Sequence, residues 1–282
     1  MNGQPLTEEE IRDCLERSGY LMESRIVRML NDAEFFVEPN QAIKDARTGK
    51  SREIDILAER HRFDPARPNT AVWTNFALET INNPYPFVLL TPRPNTPNAN
   101  FETYVRYYFT PQHNNVFMMQ LDMYDVAGVN WDNLFSQYCA LTPKKHGDPS
   151  RKRELMATHP DDVYSSLLKL AEYVEYEYQE WDTRSISDEY WRLLFWRPML
   201  VLSGRLLTVH WNDKGSFTME EAKMGRLEFN WHLEGEARST IIDIVTEDFL
   251  MSRIEALCAK DEELLQAIFE IGLKSGRNPK QV

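Results

Sequence analysis

The chain has 282 residues, of which 42% are apolar and 27% are charged, and its formal net charge is −12. This composition is that of an ordinary globular protein and excludes the disordered and fibrous classes. The length suits one large hydrophobic core, and no shift in composition forces a division. We therefore expect a single domain over residues 1–282.

The sequence shows no membrane or export signal. No apolar run approaches the roughly 20 residues that span a bilayer. The first ten residues, MNGQPLTEEE, lack the basic start and apolar stretch of a secretory signal. We expect a soluble, cytoplasmic protein that does not contact a membrane.

Several common site chemistries lack their sequence signals. The three cysteines are far apart and form no CxxC motif, and the six histidines include no HExxH motif. The glycine patterns of dinucleotide and P-loop sites are missing, as is the GxSxG motif of hydrolases. Any catalytic chemistry must therefore come from carboxylates.

The first predicted element is a helix that begins at a capping box. Thr7 and Glu10 have the spacing at which each side chain accepts from the other residue's backbone N–H. This helix is predicted to end near Ser18, where Gly19 suits the left-handed residue that follows a helix. A second helix follows, in which apolar residues recur at helical spacing: Met22, Ile26, Val27 and Leu30.

Glu23 lies at the centre of the apolar stripe of the second helix. An unpaired carboxylate is costly in such a position. Glu23 therefore either becomes neutral, pairs with a base or faces a polar site. An ion pair at the end of the helix is the purely structural alternative.

Alternating apolar residues then predict a β-hairpin over 35–43 and 52–59, with a turn near Gly49. In its second strand, REIDILAE, Asp55 points away from the face that carries Ile56. The proline-bearing segment HRFDPARPNT is expected to separate the hairpin from a third strand, roughly 72–81. On that strand Glu79 shares a face with Ala77 and Ile81.

One segment of the acidic chain is locally basic. Residues 144–153, KKHGDPSRKR, carry a net charge of +4, and their glycine and proline predict a loop. Excess acid elsewhere opposes nucleic-acid binding on average. The loop is either a solvated connection or a set of phosphate contacts made by Lys144, Lys145, Arg151, Lys152 and Arg153.

The second half of the chain begins with the clearest helix, over residues 161–182. The net charge of residues 161–190 is −7, which indicates a solvated acidic face. Strands are predicted on both sides of Ser203-Gly204 and at 226–231 and 240–245, before a closing helix over 247–273. This order of elements is typical of an α/β or α+β fold with a mixed sheet.

Three segments resemble the PD-(D/E)XK, or restriction-endonuclease-like, nuclease superfamily: GYLMESRIVRML, REIDILAE and FALETINNPYPFVLL. They are similar to the superfamily's helix Glu, its strand Asp and its (D/E)xK strand. The resemblance implies an α/β fold with an αβββαβ core and a mixed sheet, formed by about residues 18–92 and 161–211. Residues 93–160 would be an insertion, and residues 212–282 an extension with additional strands and a helix.

The resemblance also implies a set of site residues. Glu23, Asp55 and Glu79 match the acidic positions, and Asp55 and Glu79 would bind Mg²⁺ or Mn²⁺. The lysine normally found two residues after the Glu is replaced by Ile81, which neither donates nor relays a proton. Catalysis is therefore in doubt. Lys50 is a candidate relocated catalytic lysine, and an ordinary turn residue is the alternative.

Two functions of different class fit these observations. The first is a metal-dependent phosphodiesterase that acts on DNA or RNA and is impaired by the loss of the lysine or uses a relocated one. The second is a non-catalytic nuclease-fold protein that binds a protein or nucleic-acid partner. The acidic charge, Ile81 and the seven tryptophans favour the second.

Overall fold

A large mixed β-sheet organises the fold in this computed structural model, which describes residues 5–44, 49, 51–92, 106–110, 133–144, 154–184, 191–212 and 214–274. The strands in these ranges are β1 (Phe36–Lys44), β2 (Ser51–Asp64), β3 (Arg67–Ile81), β4 (Phe87–Pro92), β5 (Tyr107–Thr110), β6 (Leu134–Pro143), β7 (Leu155–Thr158), β8 (Trp191–Leu202), β9 (Leu206–Trp211), β10 (Phe217–Ala222), β11 (Met224–Leu233) and β12 (Glu236–Thr246).

The described ranges also contain four α-helices. They are α1 (Glu8–Ser18), α2 (Tyr20–Asp32), α3 (Asp161–Asp182) and α4 (Leu250–Lys274), and a short 3₁₀ turn, Glu247–Phe249, precedes α4. No helix in this part of the chain has both the length and the apolar character needed to cross a membrane. The expected mixed α/β architecture is thus confirmed.

The strand order is β1-β2-β3-β8-β12-β11-β6-β4-β9-β10, with β5 paired to β8 and β7 paired to β6. β1, β2 and β3 are antiparallel neighbours, whereas β3, β8 and β12 run parallel. Parallel strands end on the same side of a sheet. Ile81, Leu202 and Thr246 therefore lie along one edge, here called the carboxyl edge.

The segments predicted as an insertion and an extension contribute strands to this same sheet. β6, from the first segment, lies between β11 and β4, and β12, from the second, lies between β8 and β11. The core strands are thus continuous with the rest of the sheet.

Helices cover the two faces of the sheet and bury separate hydrophobic clusters. α3 packs on one face through Leu167, Leu170, Ala171 and Val174. α2 and α4 pack on the other face, against strand residues such as Ile56 and Phe76. Their buried side chains are Met22, Ile26 and Leu30 on α2 and Leu250, Ile254 and Leu257 on α4.

The first two helices form as the sequence predicts. Thr7 and Glu10 make both hydrogen bonds of the capping box. Gly19 ends α1 with φ +89, a left-handed conformation that favours glycine. Since α2 begins at Tyr20, this glycine alone separates the two helices and is also the N-cap of α2.

The segment HRFDPARPNT differs from its prediction, because it is part of the hairpin and does not interrupt it. β2 runs to Asp64 and β3 starts at Arg67, joined by a two-residue turn. Asp64 Oδ1 accepts from the backbone N–H of Ala66 at 2.9 Å, and its Oδ2 lies 2.6 Å from Arg67 Nη1. These two contacts of the Asp64 side chain stabilise a tight turn, whereas the prolines of the segment predicted an interruption between the strands.

The interpretation of the acidic helix as a solvated face was wrong for two of its residues. Glu175 is 4% exposed and lies 2.7 Å from Arg106 Nη2 and 2.6 Å from Arg238 Nη1. Glu172 is also buried, with its Oε2 3.4 Å from Arg52 Nη1. Ion pairs to strands and to the segment before β5 allow these carboxylates to be buried.

We expect Glu175→Ala to reduce the free energy of unfolding by about 3 kcal/mol, because it leaves two poorly hydrated guanidinium groups without their shared partner. Glu180→Ala is the matched control, since this glutamate lies on the same helix but is exposed. Urea unfolding of the two variants measures both effects. Equal stability of the two variants would show that the Glu175 ion pairs contribute little.

Candidate functional site

Two of the predicted carboxylates lie on neighbouring strands close to the carboxyl edge. Asp55 is on β2 and Glu79 on β3, and the pairing of Ile56 with Leu78 places them opposite each other. The backbone N–H of Asp55 donates to Glu79 Oε1 at 3.3 Å. The sheet thus positions both carboxylates through its backbone.

The orientation of Asp55 is fixed by the residue after Glu79. Asp55 Oδ2 accepts from the backbone N–H of Thr80 at 2.8 Å and from its hydroxyl at 3.0 Å. Its second oxygen, Oδ1, lies 3.9 Å from Lys169 Nζ.

Lys169 brings a positive charge to this pair of carboxylates from α3. Its Nζ lies 2.5 Å from Glu79 Oε2 and donates to the backbone carbonyl of Glu53 at 3.0 Å. The sequence analysis did not identify this residue as part of the site. The available signal was that Lys169 is the sole basic residue of a strongly acidic helix.

Glu23 approaches the same site from the first turn of α2. Burial, and then the negative charge of Asp55, raise the pKa of the Glu23 carboxyl, whereas a hydrogen bond with Thr80 and the charge of Lys169 lower it. These influences place Glu23 within electrostatic reach of the pair. They favour the polar-site interpretation of Glu23 over an ion pair at the helix end.

Glu79 is the most deeply buried member of the site, with 1% of its surface exposed. Burial, followed by the charge of Asp55, raises its pKa to about 7, although Lys169 and Ser166 act in the opposite direction. A carboxyl whose pKa is perturbed by burial and by a neighbouring charge is typical of functional sites.

The donor chemistry of this cluster suits a hard divalent cation. If all three carboxyls are ionised, Glu23, Asp55 and Glu79 outnumber Lys169 by two charges, and carboxylate oxygens are the ligands that Mg²⁺ prefers. Asp55 and Glu79 are the residues that would hold the ion. Within the described ranges, however, no three Asp, Glu, His or Cys side chains form a group in coordinating geometry.

Ile81, where the sequence resemblance leads one to expect a lysine, packs in the hydrophobic core. It is 9% exposed and belongs to the cluster under α3, with Phe87 and Val163. A lysine at this position would have to place its ammonium among apolar side chains. The positive charge of the site comes from the helix instead.

The remaining predicted residues are mostly outside the described residues. This applies to Lys50, Lys145, Arg151, Lys152 and Arg153. Lys144 is described, and its ammonium lies 3.1 Å from Glu154 Oε2 on the surface.

A cleft of about 590 Å³ opens farther along the carboxyl edge. Ser203 lines it and donates to Asn82 Oδ1 at 2.9 Å, which links the cleft to the end of β3. Two exposed basic residues in its wall, Arg205 and Lys223, form ion pairs with Glu221 and Asp248.

Comparisons with protein-family models, with curated proteins and with solved structures gave no match. The site is therefore interpreted from its own geometry.

The raised pKa of Glu79 predicts a stability that falls with pH. In the folded protein the pKa of the Glu79 carboxyl is about 7, above its ordinary value of 4.5. Protonated Glu79 therefore contributes its full stability below pH 4.5, and this contribution is lost as the pH rises through 7. Glu79→Gln removes this titration, so we expect the wild type to lose about 3 kcal/mol relative to the variant between pH 4 and 8. Denaturant unfolding at several pH values measures the difference, and parallel pH curves would contradict it.

Proposed function

We propose that this chain is a divalent-metal-dependent phosphodiesterase of the PD-(D/E)XK type that acts on DNA or RNA. The observation that carries the proposal is the contact of Lys169 with Glu79, beside Asp55, at the carboxyl edge of the sheet. Two carboxylates and one ammonium are the functional groups that this chemistry requires.

The order of elements supports the same proposal. α2, β1, β2, β3, α3 and β8 follow each other along the chain as helix, three strands, helix and strand, with β4 to β7 between β3 and α3. α2 and α3 lie on opposite faces of the sheet. This is the αβββαβ order that the sequence resemblance implies.

Each residue of the site has a role in the proposed reaction. Asp55 and Glu79 would hold a divalent cation, which would supply an activated water and stabilise charge on the phosphoryl group. Thr80 holds Asp55 in its orientation through two hydrogen bonds. Lys169 replaces the missing motif lysine: its ammonium orients the attacking water and offsets the charge of the phosphate.

The cleft along the carboxyl edge would receive part of the substrate backbone. Arg205 and Lys223 are more than half exposed, and each is paired with an exposed carboxylate. Such surface pairs contribute about 0–1 kcal/mol, so a phosphate group would replace the carboxylate at little cost.

A second function is favoured by the same ion pair. Glu79 Oε2 bonds to Lys169, and Asp55 Oδ2 bonds to Thr80, so that oxygens needed as ligands already have partners within the protein. With Ile81 in the core, this arrangement also suits a non-catalytic nuclease-fold protein that binds a protein or nucleic-acid partner.

Cleavage of single- and double-stranded DNA and RNA in Mg²⁺ or Mn²⁺ distinguishes the two functions. We expect activity that EDTA abolishes and that Asp55→Asn and Lys169→Met each reduce at least about 100-fold, as loss of a positioned catalytic group does. Lys260→Met is the matched control, because this lysine lies on α4 on the other face of the sheet. Absence of metal-dependent cleavage by the wild type would favour the binding protein.

The possible phosphate contacts of the basic segment, residues 144–153, are tested by measuring DNA binding. If it contacts phosphates, replacing its five basic residues with glutamine should weaken DNA binding and reduce the dependence of the dissociation constant on salt concentration. Fluorescence anisotropy at several salt concentrations measures both quantities. Unchanged affinity and slope would identify the segment as a solvated connection. The residues are Lys144, Lys145, Arg151, Lys152 and Arg153.

A further inference from the structure

A second cleft, of about 580 Å³, opens where β6 and β11 separate. Within the described residues these strands pair in parallel at two consecutive positions, beginning with Leu134 and Arg226. From Ala140 onwards β6 pairs with β7 instead. The part of β6 between these pairings lines the cleft, and β7, β11 and α3 supply the other walls. A strand edge without a neighbouring strand presents backbone hydrogen-bonding groups to whatever occupies the gap.

Aromatic rings line part of this cleft. Tyr164, near the start of α3, packs edge-to-face against Phe229, with ring centroids 5.7 Å apart. The residue is 48% exposed, so its ring remains accessible to a ligand. An accessible ring of this kind is a surface on which a planar base stacks.

Tyr138 brings to the cleft a hydroxyl that has no hydrogen-bond partner among the residues that the structure describes. The residue is 6% exposed, and its ring packs against Phe87 at 5.5 Å and His159 at 4.9 Å. Burial, and then the neighbouring Tyr164, raise the pKa of this hydroxyl to about 12, so it stays protonated. A buried donor without a partner is costly, and a ligand in the cleft would supply the missing acceptor.

Side-chain amides and a carboxylate line the same cleft. Gln137 Oε1 accepts from Thr91 Oγ1 at 2.7 Å, and Asn230 Oδ1 accepts from Ser239 Oγ at 2.5 Å. These bonds orient both amides and leave their NH₂ groups as donors. Glu228 lies two residues before Asn230, on the same face of β11, and a carboxylate accepts several hydrogen bonds through its two oxygens. This wall therefore offers donors beside an acceptor.

We propose that the cleft binds a nucleobase with a keto edge, such as uracil or hypoxanthine. The base stacks on Tyr164, its carbonyl accepts from the amide of Asn230, and the adjacent ring N–H donates to Glu228. The Tyr138 hydroxyl donates to a second acceptor on the base. Cytosine and adenine present an amino group in place of the carbonyl, and this donor opposes the amide donors. The base belongs to a free nucleotide or to a nucleic-acid strand, and the inference goes beyond the proposed function because it requires no cation.

The first test titrates nucleosides into the protein in EDTA by isothermal titration calorimetry. We expect uridine to bind at least about tenfold more tightly than cytidine, and inosine than adenosine, because the amino group leaves the amide N–H groups unpaired. Asn230→Asp replaces the donor with an acceptor and should remove this preference. Asn31→Asp is the matched control, since this exposed asparagine lies on α2, and the preference should persist in it.

The second test removes the stacking surface. Tyr164→Ala should weaken the binding of uridine and cytidine alike, by at least about tenfold each. Tyr176→Ala is the matched control, because Tyr176 is 44% exposed on the same helix, about three turns farther along.

Titration of single-stranded oligouridine in EDTA identifies the source of the base. If the base belongs to a strand, the oligonucleotide binds and Tyr164→Ala weakens its binding. If the base belongs to a free nucleotide, uridine binds and the oligonucleotide does not compete with it.

Several outcomes would overturn the inference. Equal affinity for uridine and cytidine, or an unchanged preference in Asn230→Asp, would show that the amide and the carboxylate do not recognise a base. The proposal is also wrong if none of the four nucleosides binds, and binding of tetramethylammonium in their place would identify a site for organic cations.

The proposed function is decided separately. Nucleoside binding without metal-dependent cleavage would support the base site and contradict the phosphodiesterase. Metal-dependent cleavage without nucleoside binding would do the reverse.

Discussion

The burial of α3 against the sheet is the constraint on which the rest of the structure depends. This helix carries many carboxylates and a single lysine, and its apolar residues fill the core between strands from both halves of the sheet. Charges at the margin of such a contact must be paired. Glu175 is paired with two arginines and Lys169 with Glu79, so the packing that completes the core also completes the candidate site.

Ionisation of Glu79 opposes folding. Glu79 is buried next to Asp55, and this combination raises its pKa even with Lys169 at 2.5 Å. Two antiparallel strands and the backbone of Thr80 hold the carboxylates together in spite of their repulsion. A buried carboxyl whose ionisation costs stability is more typical of a functional site than of a structural ion pair.

Local rules predicted part of this structure well. The capping box at Thr7, the left-handed Gly19, the helix over 161–182 and the face on which Glu79 lies all depend on a few neighbouring residues. The proline-rich turn was missed because its stability comes from the Asp64 side chain. Lys169 was missed for a different reason, since its partners, Asp55 and Glu79, are about 100 residues away in the sequence and only the packing of α3 on β2 and β3 brings them together.

The proposed reaction takes its ammonium from Lys169 and not from position 81, and the position of each backbone gives a physical reason. β3 ends with Ile81 in the core beside Phe87 and Val163, where an ammonium would lose much of its hydration. α3 crosses the same face of the sheet, and from position 169 a long side chain reaches both carboxylates while remaining partly exposed. Electrostatic catalysis depends on where a charge is held and not on which element carries it. The absence of a lysine at position 81 is therefore compatible with the proposed reaction, which depends on Lys169.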